Sequence, residues 1–250
     1  MTMKASGNTL LITGGGSGIG RELALRFHAL GNTVIVTGRH LDTLQETIAG
    51  REGMHAMTLD VADAEAIRDF AREITKRFAN LNGVINNAGI MHIDDVGTES
   101  DLADAEAQVI TNLLGPIRLN NALVEHLKRQ DAGVIVNVSS GLAFVPRADA
   151  AVYSATKAAI HIYSQSLRHQ LAGKVRVIEL APPAVQTELT PGQATREGYM
   201  PLEAFVDEVM ALFAKQPVAD EIIVERARFQ RLAEREGRSD EAFQRINGGA

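Results

Sequence analysis

Short, continuously apolar runs alternate along the chain with longer stretches in which apolar residues recur every three or four positions. The runs are TLLIT (9–13), TVIVTG (33–38), HAMTLD (55–60), GVINNA (83–88), GVIVNVSS (133–140), VRVIELAP (175–182) and EIIVE (221–225). Their length and β-branched content predict strands. Because the runs are unbroken rather than alternating, the strands should be covered on both faces. The periodic stretches predict helices over 18–30, 41–50, 63–79, 101–129, 152–172 and 201–214, the first ending at Gly31. Strand–helix alternation of this kind implies right-handed βαβ units and an α/β fold. The expectation is one domain over residues 1–250, a doubly wound parallel sheet of about seven strands with helices on both faces. After Val224 the pattern changes, and the charged stretch 226–250 is expected to be a tail or helix with a frayed end.

Composition narrows the function classes. The chain has 250 residues, 45% hydrophobic, enough for a sizeable core. A net charge of -6 without a long Lys/Arg run argues against a nucleic-acid partner. The absence of Cys excludes disulfides and thiol catalysis. No apolar run reaches 18 residues, and the N-terminal stretch is too short and interrupted for a secretory signal. A soluble, cytoplasmic protein with no membrane association is expected. The seven His are scattered without metal-ligand spacing, so no metal site is expected.

The first apolar run leads directly into GGGSGIG, with five Gly in seven positions before the first helix. Gly clusters carry an entropic cost. At the carboxyl end of a strand in an open parallel sheet they permit a tight turn and let a pyrophosphate approach the main chain. The helix N-terminus then offers free N–H groups and a partial positive charge. Gly14, Gly16, Ser17, Gly18, Ile19 and Gly20 are the candidate phosphate-binding residues.

TGGGSGIG, then NNAG (86–89), then YSATK (153–157), in this order and at these separations, resemble the three motifs of the short-chain dehydrogenase/reductase family. The resemblance covers roughly residues 8–190, and SSGLAF with APPAVQT resembles the DltE-like subgroup. It implies a Rossmann-type fold and an oxidoreductase that moves a hydride between a nicotinamide cofactor and a small-molecule carbonyl or alcohol. The catalytic residues it implies are Asn112, Ser140, Tyr153 and Lys157. Tyr153 and Lys157 lie four apart, about one helical turn. An ammonium there would favour the phenolate and lower the Tyr pKa, fitting Tyr153 for acid–base work. Ser140, 13 residues before Tyr153, would stabilise charge on the substrate oxygen; Ser139 is the alternative serine. Asn112 would hold a water beside Lys157 in a proton relay.

The cofactor expectation rests on the second strand. An acidic residue at its end would favour NAD, but Gly38 stands there and Arg39 follows. A guanidinium can bind a 2′-phosphate through two parallel bonds, so NADP is expected. Ser17 stands where many NADP-preferring members carry a basic residue, which leaves NAD open. By the same resemblance Asp60 and Val61 would flank the adenine, and Asn87, Ala88 and Gly89 the ribose region. Tyr153 and Lys157 would also touch the cofactor, and Pro183, Val185 and Thr187 would line the nicotinamide. Pro183 replaces the usual Gly and has no N–H.

Two loops are candidate substrate elements. Residues 141–152 offer Phe144 and Val145 as an apolar wall, and 190–200 is either a mobile lid or an ordinary loop. Arg147 and Arg196 could meet an anion. The helices over 101–129 and 152–172 are where family members pair, which implies a homodimer or homotetramer. The rival reading is a non-enzymatic dinucleotide sensor on the same fold. Such a protein has no need of the four catalytic residues together.

Overall fold

All seven apolar runs form strands in a computed structural model that describes residues 4–248. The strands are β1 (Thr9–Thr13), β2 (Thr33–Gly38), β3 (Met54–Thr58), β4 (Gly83–Asn86), β5 (Gly133–Val138), β6 (Val175–Leu180) and β7 (Glu221–Ile222). They make one sheet in the order β3-β2-β1-β4-β5-β6-β7. Every neighbouring pair is parallel. Both faces are covered. Leu10 and Ile12 of β1 pack into one cluster with α1 (Gly18–Ala29) and α7 (Leu202–Phe213). Leu11, between them, points into the opposite cluster with α3 (Ala64–Arg77) and α5 (Gly115–Leu127). Successive strand residues alternate between faces, so covering both faces makes every position apolar. The short α2 (Leu41–Ile48) contributes Leu44 to the first cluster. The fold is therefore the doubly wound α/β sheet.

Several strands stop short of their apolar runs. The backbone N–H groups of Asn87 and Ala88 leave the ladder and donate to Thr13 Oγ1, both at 3.0 Å. The apolar run continues, but the backbone has turned out to build a loop at the sheet edge. The predicted helix over 101–129 is likewise interrupted. It comprises α4 (Ala103–Val109), a π-helical turn (Ile110–Leu114) and α5. Pro116 explains the break: it stands four residues after Asn112 and has no N–H for that residue's carbonyl. The long α6 (Ala151–Gln170) is continuous.

The C-terminal segment, expected as a tail or helix with a frayed end, is helical and packed. It folds into α8 (Glu225–Arg231) and α9 (Ser239–Asn247). Ala233 and Ala242 pack with Val145 in a small separate core. Asn247 ties it down, accepting from Ala148 N at 2.7 Å and donating to Pro146 O at 3.1 Å. Gly249 and Ala250, at its end, lie outside the described residues.

Ala242→Asp would bury a carboxylate in this core without a partner. It is expected to destabilise the segment by about 2 kcal/mol or more. Amide exchange across 225–247 and 143–150 should rise ahead of the sheet; uniform exchange would show that the segment is not a separate unit.

Candidate active site

α1 begins where β1 ends, and the turn between them needs its glycines. Gly14 and Gly18 have φ of +67° and +50°, the left-handed region. A Cβ on Gly20 would lie 2.2 Å from the Gly14 carbonyl oxygen, so Gly20 sets the close approach of helix to turn and does not itself line the cleft. The Ser17 side chain makes no capping bond, and the first turn of α1 carries no acid. Its leading N–H groups therefore face the cleft with the positive end of the helix.

The cleft runs along the carboxyl ends of the strands as two adjoining cavities. One, of about 490 Å³, is lined by Gly16, Thr37, Arg39, Asp60 and Val61. The other, of about 800 Å³, is lined by Ile19, Ser140, Tyr153, Lys157 and Pro183, with Val185 and Thr187 beside them. Gly14, Ser17, Arg39, Ala88 and Gly89 border both. Asn87 and Gly18 line the larger. Thr37 Oγ1 is buried and has no hydrogen-bond partner. Arg39 is exposed and makes no ion pair or hydrogen bond among the described residues. An orphaned hydroxyl, a free guanidinium and an uncapped helix start are the groups a dinucleotide phosphate and ribose would satisfy. Asp60 accepts from Ala62 N at 2.9 Å and still borders the smaller cavity.

Tyr153 and Lys157 share one face of α6. Lys157 Nζ lies 5.5 Å from the Tyr153 ring centre and donates to Val138 O at 2.9 Å. Both are buried, and burial governs their protonation. Tyr153 is pushed up to about 12, with the neighbouring Ser140 hydroxyl opposing the rise. Lys157 is pushed down to about 8. The lowering of Tyr153 expected from its neighbour does not appear in the protein alone, because loss of water outweighs the ammonium. Asn112 sits in the π turn. Its side chain is engaged on both sides: Nδ2 donates to Ile90 O at 2.8 Å and to Thr156 Oγ1 at 3.4 Å, and Oδ1 accepts from Ile90 N at 2.9 Å. Pro116, four residues on, has no N–H to offer the backbone carbonyl of Asn112.

The apolar wall expected from 141–152 is not in the cleft. Phe144 stacks edge-on against His161 at 4.8 Å, and Val145 is buried under the C-terminal helices. Arg147 pairs with Asp149 and Arg196 lies over Tyr199, so neither points a free charge at the site. From the 190–200 loop, Pro191 and Gln193 do line the larger cavity. Gln193 donates to Val185 O at 2.8 Å and Thr187 Oγ1 at 3.1 Å. Sequence reasoning missed Gln193 and Thr13, because a single Gln in a loop and a Thr at a strand end carry no signal of their partners.

The short chain dehydrogenase family matches residues 8–198. The chain belongs to that family and is by class an oxidoreductase. It is 44% identical over 202 residues to the uncharacterized oxidoreductase DltE of Bacillus subtilis, covering 78% of this chain and 79% of the relative. This places it with the DltE-like proteins. It is also 35% identical over 186 residues to sulfoacetaldehyde reductase 2 of Chromohalobacter salexigens, covering 72% and 74%. Among solved structures, a short chain dehydrogenase from Burkholderia cenocepacia in complex with NADP superimposes with a TM-score of 0.82 at 27% identity, covering 98% of this chain and 99% of that one. No helix among the described residues is long and apolar enough to cross a membrane.

The buried lysine makes a stability prediction. Lys157 titrates near 8 when folded and 10.5 when unfolded, so between those values the folded protein binds fewer protons. Its contribution to stability therefore rises with pH through that window. The melting temperature of the wild type relative to Lys157→Met is expected to climb from pH 7.5 to 9.5. A difference that stays flat would refute the buried-lysine assignment.

Proposed function

We propose that the protein is an NADP-dependent oxidoreductase that interconverts a small-molecule carbonyl and its alcohol within one catalytic domain. The observation that carries this is the joint placement of Ser140, Tyr153 and Lys157 on the wall of the cleft whose other end holds the free Arg39. When bound, NADP(H) supplies the hydride and, in its oxidised form, a positive charge that favours the Tyr phenolate.

In the reducing direction, the hydroxyls of Ser140 and Tyr153 hold the substrate oxygen. Tyr153, fully protonated at neutral pH, gives it the proton as the C–H bond forms. Ser140 stabilises charge on that oxygen, and its hydroxyl opposes the effect of burial on the phenol. Lys157, near 8 and anchored on Val138, can both carry and release a proton close to neutrality. The Asn112 carbonyl, to which Pro116 offers no N–H, is the acceptor that would hold a relay water. The Asn112 amide holds both backbone groups of Ile90, the residue after Gly89. At the other end, Arg39 would bind the 2′-phosphate and Thr37 a ribose oxygen. Asp60 and Val61 would border the adenine, with Asn87, Ala88 and Gly89 along the ribose. Val185 and Thr187 would take the carboxamide.

The exposed apolar residues Val109 on α4 and Ile162 on α6 support pairing of copies through those helices, as a dimer or tetramer. The reading is of a cytoplasmic enzyme without a membrane or nucleic-acid partner. A sensor without catalysis is disfavoured, because it needs the Arg39 end of the cleft and not the buried Tyr–Lys pair.

Calorimetric titration of the wild type and Arg39→Ala with NADPH and NADH tests the cofactor. NADPH binding is expected to weaken about 10-fold or more in the variant, and NADH binding to change little. A wild-type preference for NADH would overturn the role of Arg39, and failure to bind either would overturn the function.

A further inference from the structure

Glu179 of β6 is fully buried and serves none of the roles above. A buried carboxylate is costly unless its oxygens are matched by donors and opposite charge. Here both oxygens are engaged. Ser139 Oγ donates to Oε1 at 2.5 Å, and His161 Nδ1 lies 2.7 Å from Oε2. Facing a carboxylate, Nδ1 carries the proton. The other ring nitrogen is 2.9 Å from Gln165 Nε2, which donates to it. His161 is thus fixed as one tautomer and one ring orientation, with Phe144 stacked against its face.

The two groups that grip Glu179 belong to the two halves of the catalytic constellation. Ser139 precedes Ser140 at the end of β5, and its N–H is itself held by Leu180 O at 2.8 Å. His161 follows Lys157 by four residues and Tyr153 by eight on α6, so the three share one helical face. The Ser139–Glu179–His161 chain therefore crosses from the strand end that presents Ser140 to the helix that presents Tyr153 and Lys157. Across the cleft wall the two meet where Ser140 and Tyr153 border the same cavity. Beyond the chain, Arg231 from the C-terminal segment binds both oxygens of Glu221 and covers Phe144 at 4.9 Å, placing its positive charge near Glu179.

His161, Glu179 and Glu221 bring three potential metal-binding atoms within 4.8 Å. Each already has a protein partner: Ser139 and the imidazole N–H on Glu179, Arg231 on Glu221 and Gln165 on His161, so the cluster reads as an internal hydrogen-bond network.

We propose that Glu179 and His161 are positioning residues that hold Ser140 in register with Tyr153. This inference rests on the acid–base role given to Tyr153 above. His161→Phe keeps a ring against Phe144 but loses the bond to Glu179. His161→Asn puts an amide N–H near the place of Nδ1–H and can restore that bond.

The variants are to be compared in NADPH-dependent reduction of a panel of small aldehydes and ketones. His161→Phe is expected to lower kcat about 10- to 100-fold with little change in the KM for NADPH. His161→Asn is expected to recover most of that loss. A merely structural role would lower the melting temperature without this split or this rescue.

The protein has three tyrosines, so ¹³Cζ-tyrosine NMR of the NADP⁺ complex reads Tyr153 without turnover, with Tyr153→Phe to assign its resonance. Lys157 is the charged group facing that ring. Loss of the tether displaces the Ser140 hydroxyl, so the Tyr153 midpoint should rise in His161→Phe and stay in His161→Asn. Ser139→Ala, which removes the other bond without opening the core, should raise it likewise. If His161→Phe keeps kcat within about twofold and leaves the midpoint unmoved, or if His161→Asn is equally impaired, the positioning role is overturned while the Tyr153 assignment stands. If Tyr153→Phe retains full turnover, the acid–base reading itself fails and the proposal falls with it.

Discussion

The cleft depends on one hydroxyl. Thr13 Oγ1, at the end of β1, accepts the N–H groups of Asn87 and Ala88 at the end of β4. Asn87 answers by donating Nδ2 to Thr13 O at 3.0 Å. These strands are neighbours, yet the crossovers that leave them travel to opposite faces, α1 to one and α5 to the other. Such a switch point opens a crevice at the carboxyl edge of the sheet, and a crevice needs its lips held at a set distance. The Thr13 bonds do this with the peptide groups that β4 withdraws from its ladder. The glycine turn lies on one side of the bonds and Gly89, Asn112 and Lys157 on the other.

Burial is the second constraint. Placing Tyr153 and Lys157 in the wall pushes their protonation equilibria toward the neutral forms, from opposite directions. The phenol is held as a proton donor and the amine comes close to neutrality. Neither is a property of a Tyr-x3-Lys helix in water. Both follow from the depth at which α6 packs against β5 and β6, where Lys157 finds a single carbonyl, Val138 O, in place of solvent. Glu179 meets burial in the same wall differently: its oxygens are matched to Ser139 and His161, with a guanidinium nearby.

The C-terminal helices explain why the 141–150 segment is packed against them and does not form a substrate wall. Val145 shares a core with Ala233 and Ala242, and a Cβ on Gly141 would lie 2.3 Å from Gln230 Oε1. A charged, low-hydropathy stretch can be ordered when its few apolar residues sit on one side and its arginines lie over aromatic rings, as Arg238 and Arg245 do over Phe229.

The amino-acid sequence by itself determined the sheet, its two covered faces and the positions of the glycine turn and the Tyr–Lys pair. Those features are local: unbroken apolar runs, a 3.6-residue period and residues close together in the chain. It was less informative on strand ends, because apolar character persists past the point where the backbone leaves its ladder, as after Asn86 and Val138. Only the tertiary structure decided that Phe144 and Val145 turn from the cleft, that Gln193 reaches Val185 and Thr187, and that Ser139, His161 and Glu179 form one chain. The partners in these contacts lie as far as 97 residues apart, as Val145 and Ala242 do. A lone Glu in an apolar strand or a lone His on a helix has no periodicity to announce its partner. Their meaning arises when packing removes water and leaves each polar atom only the neighbours that the fold supplies.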